Sequence, residues 1–206
     1  MNHQDRQAEA GQSDPALRAR AIESLLLEKG LITRAAVDAV AATLENDVGP
    51  LNGARVVARA WSDPEYKRRL LADGNAALEE LGLTAPTEFI VMENTDHVHN
   101  MIVCTLCSCY PWTVLGLPPT WYKSPEYRAR VVIEPRTVLA EFGVHLPALT
   151  QIRVWDSTAE TRYMVLPRRP AHTEDWSIDD LVTIITRDSM VGAAVIADPA
   201  GSKTRP

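Results

Sequence analysis

The chain has 206 residues, of which 46% are hydrophobic and 23% charged, and its formal net charge is −6. This composition is ordinary for a globular protein with its own hydrophobic core. The negative charge argues against binding to nucleic acid or anionic lipid. No apolar run approaches the roughly 20 residues of a membrane helix, and the polar N-terminus lacks the pattern of a secretory signal. We therefore expect a cytoplasmic protein that binds neither nucleic acid nor membrane.

Residues 1–85 contain sequence patterns that are typical of helices. The first 15 or so residues are polar and are predicted to be disordered. Beyond them, apolar residues recur at helical spacing as far as Gly30, and Thr33 is placed to cap a second helix. Gly49-Pro50 is typical of a helix break, whereas Asp63-Pro64 is typical of a helix start with proline in the first turn. We predict an N-terminal helical arm over this part of the chain.

The pattern changes after Pro86, where strand-forming runs alternate with turn residues. Strands are predicted at residues 89–91, 101–103, 129–133, 152–155 and 163–166. Helices are predicted from Pro135 to Phe142 and after Ser177. Strands thus outnumber helices in this part. We predict an α+β fold in which the helical arm precedes a layered α/β domain over residues 86–206, in the order helix, sheet, sheet, helix.

All three cysteines, Cys104, Cys107 and Cys109, lie within six residues. A disulfide framework would spread its cysteines along the chain, so the clustering indicates metal or redox chemistry. At the spacing i, i+3, i+5, three sulfurs reach one ion only if the backbone folds tightly around it. Such a fold presses the peptide nitrogens of Ser108 and Cys109 towards the same ion.

Simpler explanations of the cysteine cluster differ in how well they fit. A structural zinc site needs four ligands, usually from two separate arms. His97 or His99 could supply the fourth, although both are better explained as structural or surface groups. Iron–sulfur clusters usually need four cysteines. A redox dithiol of Cys104 and Cys107 would lack the expected βαβ surroundings, and three cysteines that merely pack as small apolar residues would not need to be so crowded.

The segment Val103–Trp112, VCTLCSCYPW, and the following VLGLPPTWYK resemble the metal-claw motif of the nitrile hydratase α subunit, a motif shared with the related thiocyanate hydrolase. Further matches are residues 63–66, 135–136, 155–156 and 162–167. One residue departs from the family pattern, because Thr113 stands where the family usually has proline. Threonine lacks the fixed φ of proline and would loosen the loop without removing a ligand.

The resemblance implies a role for each residue of the motif. Cys104 would be an unmodified thiolate ligand. Cys107 would be a ligand oxidised to a sulfinic acid, and Cys109 a ligand oxidised to a sulfenic acid. Ser108 and Cys109 would also bind the ion through main-chain nitrogens. Cys107 and Cys109 are therefore our candidate catalytic residues, and all four residues are candidate metal ligands.

The resemblance also implies a low-spin trivalent ion, one per α subunit. Thr105 and Tyr110 favour cobalt(III), with iron(III) as the alternative. An ion with an open sixth position could hold water or a nitrile and act as a Lewis acid. The sulfenate oxygen of Cys109 is an alternative nucleophile. The sequence leaves the choice between these two routes open.

The implied activity is the hydration of a small-molecule nitrile to an amide, together with a β subunit. Two arginines of that subunit would hold the oxidised sulfurs, because the nearest basic residues in this sequence, Lys123 and Arg128, lie well downstream of the cysteines. We expect an αβ dimer, doubled to a heterotetramer, and a metallochaperone or activator protein. The alternatives are the metal-bearing subunit of thiocyanate hydrolase and a non-catalytic structural zinc module.

Other residues near the motif carry weaker signals. Trp112, Trp121 and Tyr122 flank the cysteines and could line a substrate pocket, although aromatic residues beside a buried loop more often serve packing. Asp156 and Glu160 could form a pair of carboxylates, but in a loop between strands they are more simply explained as solvated.

Overall fold

The computed structural model describes residues 14–43, 48–107 and 109–199. The first 15 or so residues, which were predicted to be disordered, lie almost entirely outside these ranges. The first described helix begins at Asp14. Contacts divide the chain into two units, residues 1–43 and residues 44–206. No helix in the described ranges is long and apolar enough to cross a membrane.

The first unit contains two helices, α1 (Asp14–Glu28) and α2 (Arg34–Ala42). Gly30 has φ +67, a left-handed conformation that glycine adopts without strain, and it ends the first helix. The Thr33 side chain accepts a hydrogen bond from Ala36 N at 3.2 Å. Both the glycine stop and the threonine cap were predicted, and both are confirmed.

The described part of the second unit begins with three helices, each of which has buried residues: α3 (Gly49–Ser62), α4 (Pro64–Ala72) and α5 (Gly74–Glu79). The Asp63 carboxylate accepts from the backbone N–H groups of Glu65 and Tyr66, both at 3.0 Å. Pro64 occupies the first turn of α4, so the predicted start of this helix is confirmed. Gly49-Pro50 begins α3.

The remainder of the second unit mixes strands and short helices. In chain order these are β1 (Glu88–Glu93), β2 (Val98–Val103), α6 (Trp112–Leu115), a 3-10 turn (Thr120–Lys123), α7 (Pro125–Arg130), α8 (Pro135–Glu141), β3 (Gln151–Asp156), β4 (Thr161–Leu166), α9 (Ile178–Ile184) and α10 (Arg187–Val191).

The strands form two small parallel sheets, one of β1 with β4 and the other of β2 with β3. The first pair aligns Glu88 with Thr161, and the second aligns Val103 with Asp156. The sheets contact each other through β1 with β2 and β2 with β4. Helices α4 and α5 pack on β1, α10 packs on β4 and α8 packs on β3. The predicted α+β class is confirmed, with helices packed outside two contacting sheets.

Two predictions for this unit were wrong. Ala129–Ile133 does not form a strand: Ser124 caps a helix that runs to Arg130, and a turn follows. Val131 is buried, but Val132 and Ile133 are 47% and 82% exposed, so the apolar run does not lie within a sheet. Among the described residues after 85, five α-helices accompany four strands, so strands do not outnumber helices.

Candidate metal centre

The cysteines lie on a loop, residues 104–109, that begins where β2 ends; we call it the cysteine loop. Val103 is the last residue of β2 and is aligned with Asp156, the last residue of β3. Ser157 N donates to Val103 O at 2.7 Å and extends this pairing by one step. Because the two strands are parallel, their carboxyl ends lie together, and this edge of the sheet carries the cysteine loop. Ser108, a predicted ligand, lies outside the described residues.

The three sulfur atoms converge on one point. Cys104 Sγ and Cys107 Sγ are 3.3 Å apart, and Cys107 Sγ and Cys109 Sγ are 3.1 Å apart. These distances exceed the roughly 2.05 Å of a disulfide bond. All three sulfurs lie within 4.8 Å of one another, close enough to hold one metal ion. Cys107 N also donates to Cys104 Sγ at 3.3 Å, which closes the turn between the first two cysteines.

The thiol of Cys109 is electrostatically unusual. Burial, and then hydrogen bonding to the sulfurs of Cys107 and Cys104, raise its pKa to about 12, while the charge of Arg162 acts in the opposite direction. Three thiols packed together without a metal ion therefore disfavour the thiolate form at Cys109. A metal ion reverses this preference, because it binds the thiolate and displaces the proton. The donor set fits a metal ion that binds sulfur.

Two side chains from residues 122–128 hold the backbone of the cysteine loop. Tyr122 Oη donates to Cys109 O at 2.9 Å. Arg128 Nη1 donates to Cys107 O at 2.8 Å. Two carbonyl groups of the loop are thus fixed by donors that follow it in the sequence.

A cavity of about 510 Å³ opens beside the cysteine loop. Its lining is partly apolar and includes the two later cysteines; the lining residues are Cys107, Cys109, Tyr110, Trp112, Leu117, Pro118 and Arg162. The cavity could admit a small organic molecule, with its hydrocarbon part against the apolar side chains. Arg162 adds a positive charge to the same space.

Two basic residues that lie well downstream of the cysteines in the sequence are close to them in the structure. Arg128 contacts the cysteine loop directly, and Arg162 lines the cavity that includes Cys107 and Cys109. Arg162 Nη1 donates to the carbonyl groups of Thr158 and Thr161, which keep the side chain near the start of β4. Both arginines are distant from the cysteines in sequence and approach them only in the folded chain.

The flanking aromatic residues divide between the two roles considered for them. Trp112 is 48% exposed and lines the cavity. Trp121 packs against Tyr127 and Phe142, with ring centroids 4.9 and 4.8 Å away. Tyr122 is buried and contacts the loop backbone through its hydroxyl group. Packing therefore accounts for Trp121 and Tyr122.

The two histidines considered as zinc ligands do not join the sulfurs. His97 is exposed. His99 is buried, with Nδ1 3.3 Å from the Asn94 amide nitrogen and Nε2 2.8 Å from Gly192 O. Among the described residues, the group able to hold a metal contains the three cysteines alone. The structural or surface roles expected for the two histidines agree with this arrangement. A zinc site at the cysteines would lack the fourth ligand considered for it.

Asp156 is exposed, as expected for a solvated carboxylate, but it ends β3 instead of lying in a loop, and it has a structural role that was not predicted. Its two oxygens accept from Thr105 N at 2.9 Å and from Thr105 Oγ1 at 2.5 Å. Glu160 does not share this role, since its side chain accepts from Thr158 Oγ1. Asp156 directly follows a predicted strand, residues 152–155. Pairing that strand with the predicted strand before Cys104 would have placed Asp156 next to the cysteine loop.

Comparison with known proteins agrees with this geometry. A family model described as nitrile hydratase, alpha chain, matches residues 13–194. The low-molecular weight cobalt-containing nitrile hydratase subunit alpha of Rhodococcus rhodochrous is 54% identical over 187 residues, which cover 90% of each chain. The thiocyanate hydrolase subunit gamma of Thiobacillus thioparus is 44% identical, over 89% of this chain and 80% of the relative. A solved double mutant of the Fe-type nitrile hydratase from Comamonas testosteroni Ni1 has a TM-score of 0.82 and 46% identity, over 96% of this chain and 97% of that one.

Proposed function

Because the chain belongs to the nitrile hydratase α-chain family, we propose that it holds one trivalent cobalt ion on the cysteine loop and, with a β subunit, hydrates nitriles to amides. The observation that carries this proposal is the convergence of three sulfurs within 4.8 Å beside an open, partly apolar cavity. The proposed ligands are the sulfurs of Cys104, Cys107 and Cys109 and the main-chain nitrogens of Ser108 and Cys109.

The residues around the site suit this reaction. When bound, a trivalent ion supplies a Lewis acid that makes a nitrile carbon more electrophilic and water more acidic. Trp112, Leu117 and Pro118 offer apolar surface for the organic part of the nitrile. Cys107 and Cys109 face the same cavity, so oxygen atoms added to their sulfurs would lie next to a bound nitrile. We propose a sulfinic acid at Cys107 and a sulfenic acid at Cys109.

The choice of cobalt over iron is part of the proposal. Cobalt-containing relatives support cobalt, whereas an Fe-type enzyme is among the similar structures. Thr105 and Tyr110 are the residues of this chain that favour cobalt. Tyr110 is buried, lies edge-on to Tyr122 with ring centroids 5.0 Å apart, and is among the residues that line the cavity.

The proposal extends to assembly and location. We propose a heterotetramer of two α and two β subunits, loaded by an activator or metallochaperone. We also propose the cytoplasm as its compartment, where a reducing environment suits a chain whose three cysteines share one loop. The division into an arm over residues 1–85 and a catalytic domain over residues 86–206 stays a prediction, although α3, α4 and α5 belong to the same contact unit as the strands.

The test is expression of the α and β chains together in medium that contains cobalt alone or iron alone. We expect one cobalt per α chain, amide formation from a nitrile, and peptide masses with two added oxygens at Cys107, one at Cys109 and none at Cys104. Full activity in cobalt-free protein from iron medium would contradict the choice of metal. Zinc at the site without nitrile hydration would favour the structural module.

A second activity is supported by one observation, the 44% identity with a thiocyanate hydrolase subunit. The same cobalt-loaded complex should therefore be incubated with thiocyanate at matched concentration. Faster turnover of thiocyanate than of any nitrile tested would favour that activity over nitrile hydration.

A further inference from the structure

We propose that Arg128 is a positioning residue for the metal site, which it serves by holding the middle of the cysteine loop and bringing a positive charge to it. This inference rests on the proposed function. Arg128 Nη1 donates to Cys107 O at 2.8 Å. Cys107 is the middle of the three cysteines, and its sulfur lies 3.3 Å from Cys104 Sγ and 3.1 Å from Cys109 Sγ. Holding its carbonyl group therefore constrains the residue that joins the other two.

The helix that carries Arg128 is fixed to the strand from which the loop begins. Ser124 caps α7 by accepting from Tyr127 N at 3.1 Å. Tyr127 is buried, and its hydroxyl donates to Ile102 O at 2.7 Å, two residues before Cys104. The base of Arg128 is therefore set relative to the end of β2. An anchored base allows a long side chain to hold one loop carbonyl reproducibly, at a smaller entropic cost.

The charge of Arg128 matters because the proposed ligand set is anionic. Three sulfur anions balance a trivalent ion, and two main-chain nitrogens that lose their protons on binding it would leave excess negative charge in a partly buried loop, which is costly without a nearby cation. A hydrogen bond from a guanidinium group is roughly twice as strong as a neutral one. Arg128 Nε is also buried and has no acceptor among the described residues. The guanidinium group thus keeps a further donor beside the loop.

Lys123 provides a matched control on the same segment. It is exposed, and it lies only five residues before Arg128 in the sequence. Replacing Lys123 removes one positive charge from the same segment of the chain, while the described hydrogen bonds from this segment to the cysteine loop, from Tyr122 and Arg128, stay in place. A difference between substitutions at the two positions therefore reports the loop contact and not the net charge of the chain.

The test uses the αβ complex expressed with cobalt and compares Arg128→Met, Arg128→Gln and Arg128→Lys with Lys123→Met. Cobalt per α chain, the rate of cobalt loss to a chelator and the sulfur-to-cobalt absorption spectrum are measured on each. For Arg128→Met and Arg128→Gln we expect cobalt loss to be faster by about tenfold to hundredfold, the range for residues that orient metal ligands, with a shifted spectrum. Arg128→Lys should recover part of the loss, and Lys123→Met should match the unsubstituted complex.

Each result bears on the proposal. If Arg128→Met cannot be purified, the rates of cobalt loss from Arg128→Gln and Arg128→Lys are compared to test the role of the charge. Unchanged cobalt content, loss rate and spectrum in the uncharged variants would overturn the role of Arg128, even if their thermal stability fell. Such a result would leave nitrile hydration by the unsubstituted complex intact. An unsubstituted complex without cobalt and without nitrile hydration would instead overturn the proposed function, and this inference with it.

Discussion

Asp156 accepts both hydrogen bonds that Thr105 can donate, from its backbone N–H at 2.9 Å and from its hydroxyl at 2.5 Å. The two residues are 51 positions apart in sequence. Thr105 follows the first cysteine, and Asp156 ends β3. This pair ties the cysteine loop to the strand next to the one from which the loop begins. A carboxylate that accepts two donors fixes the start of the loop more firmly than a single contact would.

From this contact we predict that Asp156→Ala lowers cobalt content and nitrile hydration by about tenfold or more, as expected for a residue that orients metal ligands. Thr105→Ser keeps both donors and should stay close to the unsubstituted enzyme. Metal analysis and initial rates on the αβ complex provide the measurement. Equal cobalt and activity in Asp156→Ala would show that the loop does not depend on this carboxylate.

A second prediction concerns the stability of the αβ complex at mildly acidic pH. Burial lowers the pKa of His99, while its hydrogen bond to Gly192 O acts in the opposite direction. The Asn94 amide oxygen accepts from Asn100 N at 2.7 Å, so its nitrogen faces His99 Nδ1. Protonated Nδ1 would meet another donor, which explains physically why the neutral ring is favoured.

The sign of the pH effect follows from proton binding. The unfolded chain binds a proton at His99 near its ordinary pKa of 6.5, and the folded chain binds it only at lower pH. The free energy of unfolding should therefore fall as the pH drops below about 6.5. Urea unfolding between pH 5 and pH 8 measures this slope. His99→Gln should flatten the slope, whereas the exposed His97→Gln should leave it unchanged; equal slopes in all three proteins would refute the prediction.

A third prediction concerns Gly192, which ends α10 at φ +86. A Cβ atom added there would lie 2.0 Å from Asn100 O and 2.9 Å from Met101 Cα, both backbone atoms of β2. Gly143 has φ +80 but open space around it. Both glycine-to-alanine changes impose conformational strain of about 1–3 kcal/mol. Gly192→Ala should lose about 1–3 kcal/mol more, because backbone must also move. Denaturant unfolding of the two variants tests this, and equal losses would contradict it.

The fourth prediction concerns the surface that meets the β subunit. Leu106, in the cysteine loop, is 89% exposed, and Trp112, which follows the loop in the sequence, is 48% exposed. Exposed apolar side chains next to a proposed site suit a protein partner. Leu106→Glu should therefore weaken the αβ complex by at least about tenfold, equivalent to about 1.4 kcal/mol.

Leu149 provides the control for this partner surface. It is 97% exposed and precedes β3, at the opposite end of that strand from Asp156. Leu149→Glu adds the same charge at a distance from the cysteine loop and should leave association unchanged. Light scattering and titration of α with β measure the effect. If both variants bind the β subunit as well as the unsubstituted chain does, Leu106 is not part of the interface.

Local sequence signals were sufficient where neighbouring residues decide the structure. The cap at Thr33 and the helix start at Asp63-Pro64 follow from side chains that bond to the backbone two or three residues away. Strand positions followed from short apolar runs. Ala129–Ile133 shows the limit of such runs, because an apolar stretch does not indicate whether a sheet lies beside it. There the Ser124 cap and the proline after it produced a helix that ends at Arg130, and a turn follows.

By itself, the sequence determined that three sulfurs share one loop, since the spacing of Cys104, Cys107 and Cys109 is a local property. Only the tertiary structure decided what surrounds that loop. The parallel register of β2 with β3 brings Asp156 to Thr105, and the packing of α7 brings Arg128 to Cys107 O. Such contacts depend on strand pairing and helix placement across tens of residues. The spacing of apolar residues along the sequence indicates which face of a helix or strand is apolar. It does not indicate which other element packs against that face.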